Sequence, residues 1–111
     1  MTDHSEGHFP ALDLDVVLAD AGVRTERADM LREASLLVNG DRNAQYGDPR
    51  QDFQRTATMW SAYLGAKVEP HDVAAMMAIL KVSRIRWSPQ KRDSWVDLAG
   101  YAACGWDCAA P

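Results

Sequence analysis

The stretch GDRNAQYGDPRQD, residues 40–52, lies between two segments whose apolar residues recur at helical spacing. A connection between two helices needs only a few residues of turn chemistry. This central segment is longer, and it carries two arginines, an asparagine, a tyrosine and three aspartates. We therefore interpret it as a connection between helices that also supplies the first part of a binding site.

Capping signals on both sides of the central segment mark the ends of helices. Thr25 is a suitable N-cap for the helix before it, and Asp48 followed by Pro49 opens the helix after it. The predicted helices cover about residues 26–38, 49–64, 70–85 and 91–108. No segment alternates with period two for long enough to form a strand. The predicted fold class is all-α, with four main helices joined by short loops in a bundle.

Large apolar side chains are expected to face the core of this bundle. The four tryptophans are predicted to lie in the core and at a subunit interface, and not on a platform that stacks a ligand. On the last helix, the residues expected to point inward are Trp95, Leu98, Ala99, Ala102 and Trp106. Because a short chain buries little apolar surface by itself, we expect a homo-oligomer, a dimer or a tetramer, to complete the bundle.

The length of 111 residues indicates one all-α domain over residues 23–111, preceded by a flexible tail or arm over residues 1–22. The net charge of -4 gives no support to direct nucleic-acid binding. No apolar run approaches the ~20 residues of a membrane span, and the N-terminus does not resemble a secretory signal. Cys104 and Cys108 are expected to be buried thiols in a reducing compartment, because no metal or redox motif accompanies them.

Two charged pairs on the last two helices are predicted to face each other. Lys81 and Arg84 are three residues apart, so they project from one side of their helix, and Asp93 and Asp97 do the same on the next. The short connection makes these helices an antiparallel hairpin, in which facing residues have a nearly constant sum of residue numbers. That register places Lys81 opposite Asp97, and Arg84 opposite Asp93.

Two interpretations of these pairs remain open. In the first they are structural salt bridges, which stabilise an exposed surface by only ~0–1 kcal/mol. In the second, Asp93 and Asp97 hold Mg²⁺, which in proteins favours one or two carboxylates together with substrate phosphates. Lys81 and Arg84 then bind phosphate oxygens. The second interpretation makes magnesium the predicted cofactor, with Asp48 as a further metal ligand.

The central segment offers candidate ligand contacts of another kind. Arg42 and Asn43 supply guanidinium and amide donors beside a helix start, which suits an anion or the edge of a nucleobase. Tyr46 either covers the core or joins them in recognising a base or sugar. Asp48 is first of all a helix cap. None of the three histidines forms a visible dyad with a serine or cysteine, so nucleophilic catalysis of that type has no support.

The chain resembles a family of short bacteriophage proteins, especially those of phages that infect actinobacteria. The resemblance covers roughly residues 28–106. It rests on GDRNAQYGDP, on a helix with FxxxxxMWSAYLG, on EPHDVAAMMAILKVSRI and on DSWVDLAGYAA. More distantly, the YGD segment, the KxxR helix and the DxxxDLxGYA helix are similar to nucleotide-modification-associated phage families and to the all-α nucleotide pyrophosphohydrolases of the MazG type.

The resemblance implies a helical fold, a nucleotide-like ligand and a location in the cytoplasm of the host cell. Enzymes of the MazG type bind magnesium through an ExxE motif on one helix and an ExxD motif on the next, and this sequence has neither motif on its second and last predicted helices. Asp93 and Asp97 stand in place of the second motif with a spacing one residue longer, and Asp52 is the only acid on the second helix. This departure affects catalysis more than it affects ligand binding.

Three functions follow as hypotheses. The first is binding of a nucleotide or related phosphorylated metabolite, with hydrolysis by a magnesium-dependent pyrophosphohydrolase as its enzymatic form. The second is sequestration of a host nucleotide by the same residues without turnover. The third is a non-catalytic interaction module that binds and modulates a host protein through its tryptophan and methionine surface.

Overall fold

The structure, a computed structural model, describes residues 24–111 apart from the side chains of Asp41, Arg42 and Ala44. The predicted tail or arm over residues 1–22 lies outside the described residues. Residues 24–111 form helices and no strand, so the all-α class is confirmed for this part of the chain. No helix in this part is long and apolar enough to cross a bilayer. The helices are α1 (Glu26–Asn39), α2 (Asp41–Tyr46), α3 (Pro49–Leu64), α4 (Pro70–Trp87) and α5 (Arg92–Ala109).

The capping residues place the helix ends where the sequence predicts them. The Thr25 hydroxyl accepts a hydrogen bond from the Ala28 N–H at 3.1 Å, and α1 starts one residue later than Thr25. The Asp48 carboxylate accepts from the Arg50 N–H at 2.8 Å at the start of α3. Gly65 ends α3 with a φ of 69°, a backbone angle that residues with a side chain rarely adopt.

The central segment is more regular than predicted, because residues 41–46 form the short helix α2. Gly40 precedes this helix, and Gly47, at a φ of 84°, follows it. A helix of six residues completes fewer than two turns, so it shows no apolar periodicity in the sequence. The expectation of an irregular connection is therefore corrected: two glycines separate α2 from the helices on either side.

Helices α4 and α5 form the antiparallel hairpin that the short connection predicts. Lys81 Nζ lies 2.8 Å from Asp97 Oδ2. Further along the pair, a Cβ built on Gly105 would lie only 3.1 Å from the Cβ of Ala74. Both contacts join residues whose numbers have nearly the same sum, so the predicted register is confirmed at two places. Arg92, at the start of α5, donates to Glu33 of α1 at 2.6 Å, and this hydrogen bond raises the pKa of the guanidinium.

The core lies where α3, α4 and α5 meet. Its buried residues form one cluster: Phe53, Ala57, Val68, Val73, Ala74 and Cys104. Partly buried side chains pack against this cluster, and they are Val38, Trp60, Met77, Tyr101 and Cys108. The buried set contains few large side chains, so much of the apolar surface of the helices remains exposed.

The predicted inward face of α5 is wrong in its largest members. Trp95 is 43% exposed and Trp106 is 68% exposed. The face that is buried is made of small and medium side chains: Ser94, Val96, Gly100 and Cys104. Small residues let neighbouring helices approach closely, and this close packing leaves no room for an indole ring. Trp95 instead donates from its ring N–H to the Pro89 carbonyl at 2.9 Å, outside the core.

Candidate functional site

Lys81 and Asp97 form the most enclosed ion pair that the described residues contain. The side chain of Lys81 is 13% exposed and that of Asp97 is 27% exposed. Their 2.8 Å contact has the length of a charge-assisted hydrogen bond. Because water is partly excluded from both groups, this pair is screened less than a surface salt bridge.

A cavity of about 450 Å³ opens between the second half of α4 and the first turn of α5. We call it the basic cavity, because Lys81, Arg84 and Lys91 line it against two acids, Asp93 and Asp97. Its other lining residues are Ser83, Trp87, Ser88 and Ser94. The sequence predicts Lys81, Arg84, Asp93 and Asp97 as neighbours, and the structure brings all four to this one cavity.

Charge is unevenly balanced inside the basic cavity. The ammonium of Lys81 already lies against Asp97. The predicted contact between Arg84 and Asp93 is not formed, since within residues 24–111 no ion pair or hydrogen bond joins their side chains. Lys91 also makes no ion pair among the described residues. Two exposed cations therefore face the cavity with one exposed carboxylate, an arrangement that favours an anionic ligand.

A second cavity, of about 270 Å³, lies between α1, α2, α3 and α5. We call it the aromatic cavity, because the rings of Tyr46, Phe53 and Tyr101 line it. The Phe53 and Tyr101 rings stack with their centroids 6.3 Å apart. Asn43 adds an amide to the wall, as the sequence predicts for a ligand-contacting residue. The volume is close to the lower end of ligand pockets, about 300 Å³, so the cavity suits a single small ring system.

Asp97 lines both cavities. Its position on α5 lets the same side chain form part of the aromatic wall while Oδ2 contacts Lys81. The two cavities meet at Asp97 along one side of α5, where Asp93, Asp97 and Tyr101 follow one another four residues apart. The arrangement matches a ligand that has an uncharged ring at one end and a negative group at the other.

Two predicted site residues are not placed in either cavity. Arg42 lies in α2, but its side chain is outside the described part of the structure. Asp48 lines neither cavity and serves as the cap of α3. Burial and the charge of Asp107 raise the pKa of the Cys108 thiol, and Asp48 adds a smaller effect in the same direction, so Asp48 lies near the end of α5. Asp93 is ~22 Å away along that helix.

The predicted metal ligands Asp93 and Asp97 lie in the basic cavity among three cationic side chains. Within residues 24–111 there is no group of three or more His, Cys, Asp or Glu side chains that could hold a metal ion. Asp93 and Asp97 share the basic cavity, but Lys81 already occupies an oxygen of Asp97. A divalent cation there would lie beside the positive charges of Lys81, Arg84 and Lys91. This donor set fits a phosphate better than it fits Mg²⁺.

Two lining residues were missed by sequence reasoning. Lys91 lies in the turn before α5, where its role depends on how the hairpin closes. Tyr101 follows Asp97 by four residues and so shares its side of α5, a spacing that could have drawn attention to it. The pattern of charged residues does not reveal it, because the aromatic cavity is lined mainly by uncharged ones.

Comparison with known proteins places the chain among phage proteins. A family model described as a domain of unknown function (DUF6378) matches residues 29–109. The chain is 41% identical over 75 residues to the Gene 55 protein of Mycobacterium phage D29, a match that covers 68% of this chain and 50% of that protein. It is 42% identical over 74 residues to the Gene 55 protein of Mycobacterium phage L5, covering 66% and 47%.

The chain spans about half the length of the curated relatives it matches. These relatives support the part of the resemblance that concerns phage proteins. The similarity to enzymes of the MazG type is not shown by them. No solved structure gives a significant match.

Proposed function

The chain belongs to the DUF6378 family, whose description names no activity, and from its two cavities we propose that it binds a nucleotide or a related phosphorylated metabolite. The observation that carries the proposal is the position of Asp97, which lines both the basic and the aromatic cavity. A ligand with a ring and a phosphate group would then occupy both cavities along one side of α5, on either side of Asp97.

The phosphate end of the ligand is assigned to the basic cavity. Arg84 provides a planar fork of donors that suits phosphate oxygens, and Lys91 provides a point charge. Both side chains are exposed, so neither has to leave a protein partner among the described residues before it binds. Lys81 holds Asp97 and lies at the inner wall, where its charge adds to the attraction.

The ring end of the ligand is assigned to the aromatic cavity. Tyr46 is 59% exposed, so stacking on it would remove apolar surface from water. The Asn43 amide supplies both a donor and an acceptor, the groups that recognise the edge of a nucleobase. Arg42 stays a predicted contact of the same region.

The proposal is binding without turnover, as in sequestration of a nucleotide. Hydrolysis of the phosphate would need an activated water, such as one on Mg²⁺ held by the ligand phosphates and one or two carboxylates, and the proposal includes no such step. We therefore expect magnesium only as a companion of the ligand's phosphates. The proposed binding does not depend on it.

A thermal-shift screen tests the proposal. The full chain is melted with nucleotides, nucleosides, pyrophosphate and inorganic phosphate, each with and without magnesium. A ligand at ~100 times its dissociation constant should add ~2.7 kcal/mol to stability. We expect the nucleotides to shift the melting temperature more than pyrophosphate or a nucleoside does. If none of these compounds shifts the melting temperature, the proposal is wrong. If a hydrolysis product forms when magnesium is present, the function is hydrolysis and not binding alone.

Matched substitutions locate the site. Arg84→Ala and Lys91→Ala should each weaken nucleotide binding by roughly tenfold or more, because each removes a charge-assisted contact. Arg27→Ala on α1 and Lys67→Ala before α4 remove charges that line neither cavity, and they should leave the affinity unchanged. Tyr46→Ala should reduce the preference for nucleotide over pyrophosphate. If the cavity variants and the control variants weaken nucleotide binding equally, the nucleotide is attracted by the overall charge of the protein and not bound at this site.

A further inference from the structure

Helix α4 carries a second apolar face in addition to the one that packs into the core. Val73 and Ala74 are buried, and Met77 packs against the core cluster. On another side of the same helix, residues three or four apart are exposed. We call them the outer stripe, and they are Met76, Ile79, Leu80, Ser83 and Trp87.

The outer stripe is more apolar than a solvated helix surface requires. Ile79 is 68% exposed and Trp87 is 89% exposed. Single exposed apolar residues are common in proteins, but a contiguous row along three turns of one helix marks an interaction surface. The stripe contains no charged residue, and Ser83, the small member near its middle, permits another helix to approach closely.

We propose that the outer stripe packs antiparallel against the outer stripe of a second copy of this chain. In an antiparallel pair, facing residues have a nearly constant sum of residue numbers, and a sum of 163 pairs four of the five stripe residues with one another. Met76 of one copy faces Trp87 of the other, where sulfur and indole make a favourable contact. Leu80 faces Ser83, so that a large side chain meets a small one.

Charge at the two ends of the stripe selects the antiparallel direction. Asp72 precedes Met76 by four residues and Arg86 follows Ser83 by three, so both continue the stripe along α4. In this antiparallel register Asp72 of one copy lies five residues, or ~8 Å along the helix axis, from the level of Arg86 of the other. A parallel pair would place like charges together. A second copy is thus complementary to the stripe in charge as well as in shape.

This interface also reaches the basic cavity. Trp87 belongs to the outer stripe and lines that cavity. When Met76 of the second copy packs on Trp87, it orders one wall of the cavity from outside. The inference of a dimer does not depend on the proposed ligand, since it rests on the exposed side of α4 alone.

Sedimentation velocity of the full chain tests the interface. The wild-type protein should sediment with about twice its chain mass of 12.3 kDa. Ile79→Glu places a charge at the centre of the stripe and should raise the dimer dissociation constant by roughly 100-fold. Leu36→Glu is the matched control, because Leu36 is 63% exposed on α1, and it should leave the dimer intact. A monomeric wild type, or an Ile79→Glu dimer, overturns the proposal.

Cross-linking provides a second test that does not need a destabilising charge. Ser83→Cys should give a dimer with a short bis-maleimide, whereas Ser35→Cys, an exposed serine on α1, should not. The wild type controls for reaction at its own cysteines. Equal cross-linking of the two variants would mean that the stripe is not the contact, and it would overturn the proposal.

Discussion

The Ser61 hydroxyl joins the end of α3 to Val68, seven residues further on. Its oxygen accepts a hydrogen bond from the Val68 N–H at 2.9 Å, and the hydroxyl donates to the Ala57 carbonyl at 2.7 Å. Val68 is buried in the core cluster. One side chain therefore satisfies a backbone donor in the loop and sets the path by which the chain enters α4.

Replacing Ser61 by alanine should destabilise the protein measurably. The Val68 N–H would lose its acceptor in a partly buried place, which costs roughly 1–2 kcal/mol. Thr58→Ala is the control, since the Thr58 hydroxyl bonds only to the Gln54 carbonyl of its own helix and is exposed. Urea unfolding should show a lower midpoint for Ser61→Ala and a change within ~0.5 kcal/mol for Thr58→Ala. Equal losses would mean that the loop contact contributes nothing.

The Lys81–Asp97 pair should show a coupling that exposed pairs lack. Removing either charge leaves the other partly enclosed, so Lys81→Met and Asp97→Asn should each cost roughly 1–2 kcal/mol. The double variant should cost less than the sum of the two. A double-mutant cycle by chemical denaturation gives the coupling energy. Lys67→Met, whose side chain is 81% exposed, should change stability by less than ~0.5 kcal/mol.

Two glycines of α5, Gly100 and Gly105, face other helices. Replacing each by alanine should change the stability of the protein by a different amount. At Gly105 a new Cβ would lie 3.1 Å from the Cβ of Ala74, which cannot move without its helix. At Gly100 it would lie 3.3 Å from a methyl of Val38, whose side chain can rotate. Alanine favours a helix over glycine by ~1 kcal/mol in both places. We expect Gly105→Ala to be less stable than Gly100→Ala by about 1 kcal/mol, measured by thermal unfolding.

The Cys108 thiol should make stability fall in alkaline solution. Burial and the neighbouring Asp107 raise its pKa in the folded chain above its ordinary value. At neutral pH the thiol is protonated in both the folded and the unfolded chain. As the pH rises past the ordinary value the unfolded chain ionises first, so folding stability decreases until the folded thiol ionises as well. Urea unfolding between pH 7 and 10 should show this decrease.

Cys108→Ala provides the control for the pH dependence. In this variant the free energy of unfolding should fall less between pH 7 and 10 than it does in the wild type. At pH 7 the variant should lose only the small stability that a partly buried thiol contributes. The alkylation rate of Cys108 is the rate of the wild type minus the rate of Cys108→Ser. This rate should begin to rise at a higher pH than the alkylation rate of an ordinary thiol does. If the alkylation rate of Cys108 rises at the same pH as that of an ordinary thiol, its pKa is not raised.

The helix ends could be read from the sequence because they depend on local chemistry. Thr25, Asp48 and Gly65 each cap a helix through their own side chain or backbone angle, and the structure has all three in that role. The register of the hairpin could also be predicted, since it follows from a short connection and from the spacing of Lys81 and Asp97.

The inward face of α5 could not be predicted in the same way. Which side of a helix is buried depends on the neighbours that arrive from elsewhere in the chain, here α1 and α4. Gly100 and Gly105 mark that side because their lack of a side chain permits close approach. Trp95 and Trp106 misled the prediction because hydrophobicity was weighted above size. The aromatic cavity was hidden for a related reason, as its walls come from four separate helices.

Since Asp97 lines both cavities, we expect binding in one cavity to be coupled thermodynamically to binding in the other. An anion that draws the Lys81 ammonium towards the basic cavity weakens its hold on Asp97 and leaves that carboxylate more negative towards the aromatic cavity. By reciprocity, any change that the anion makes to the affinity for a ring must be matched by an equal change that the ring makes to the affinity for the anion. Isothermal titration of each half of a nucleotide, alone and in the presence of the other, would give this coupling free energy directly.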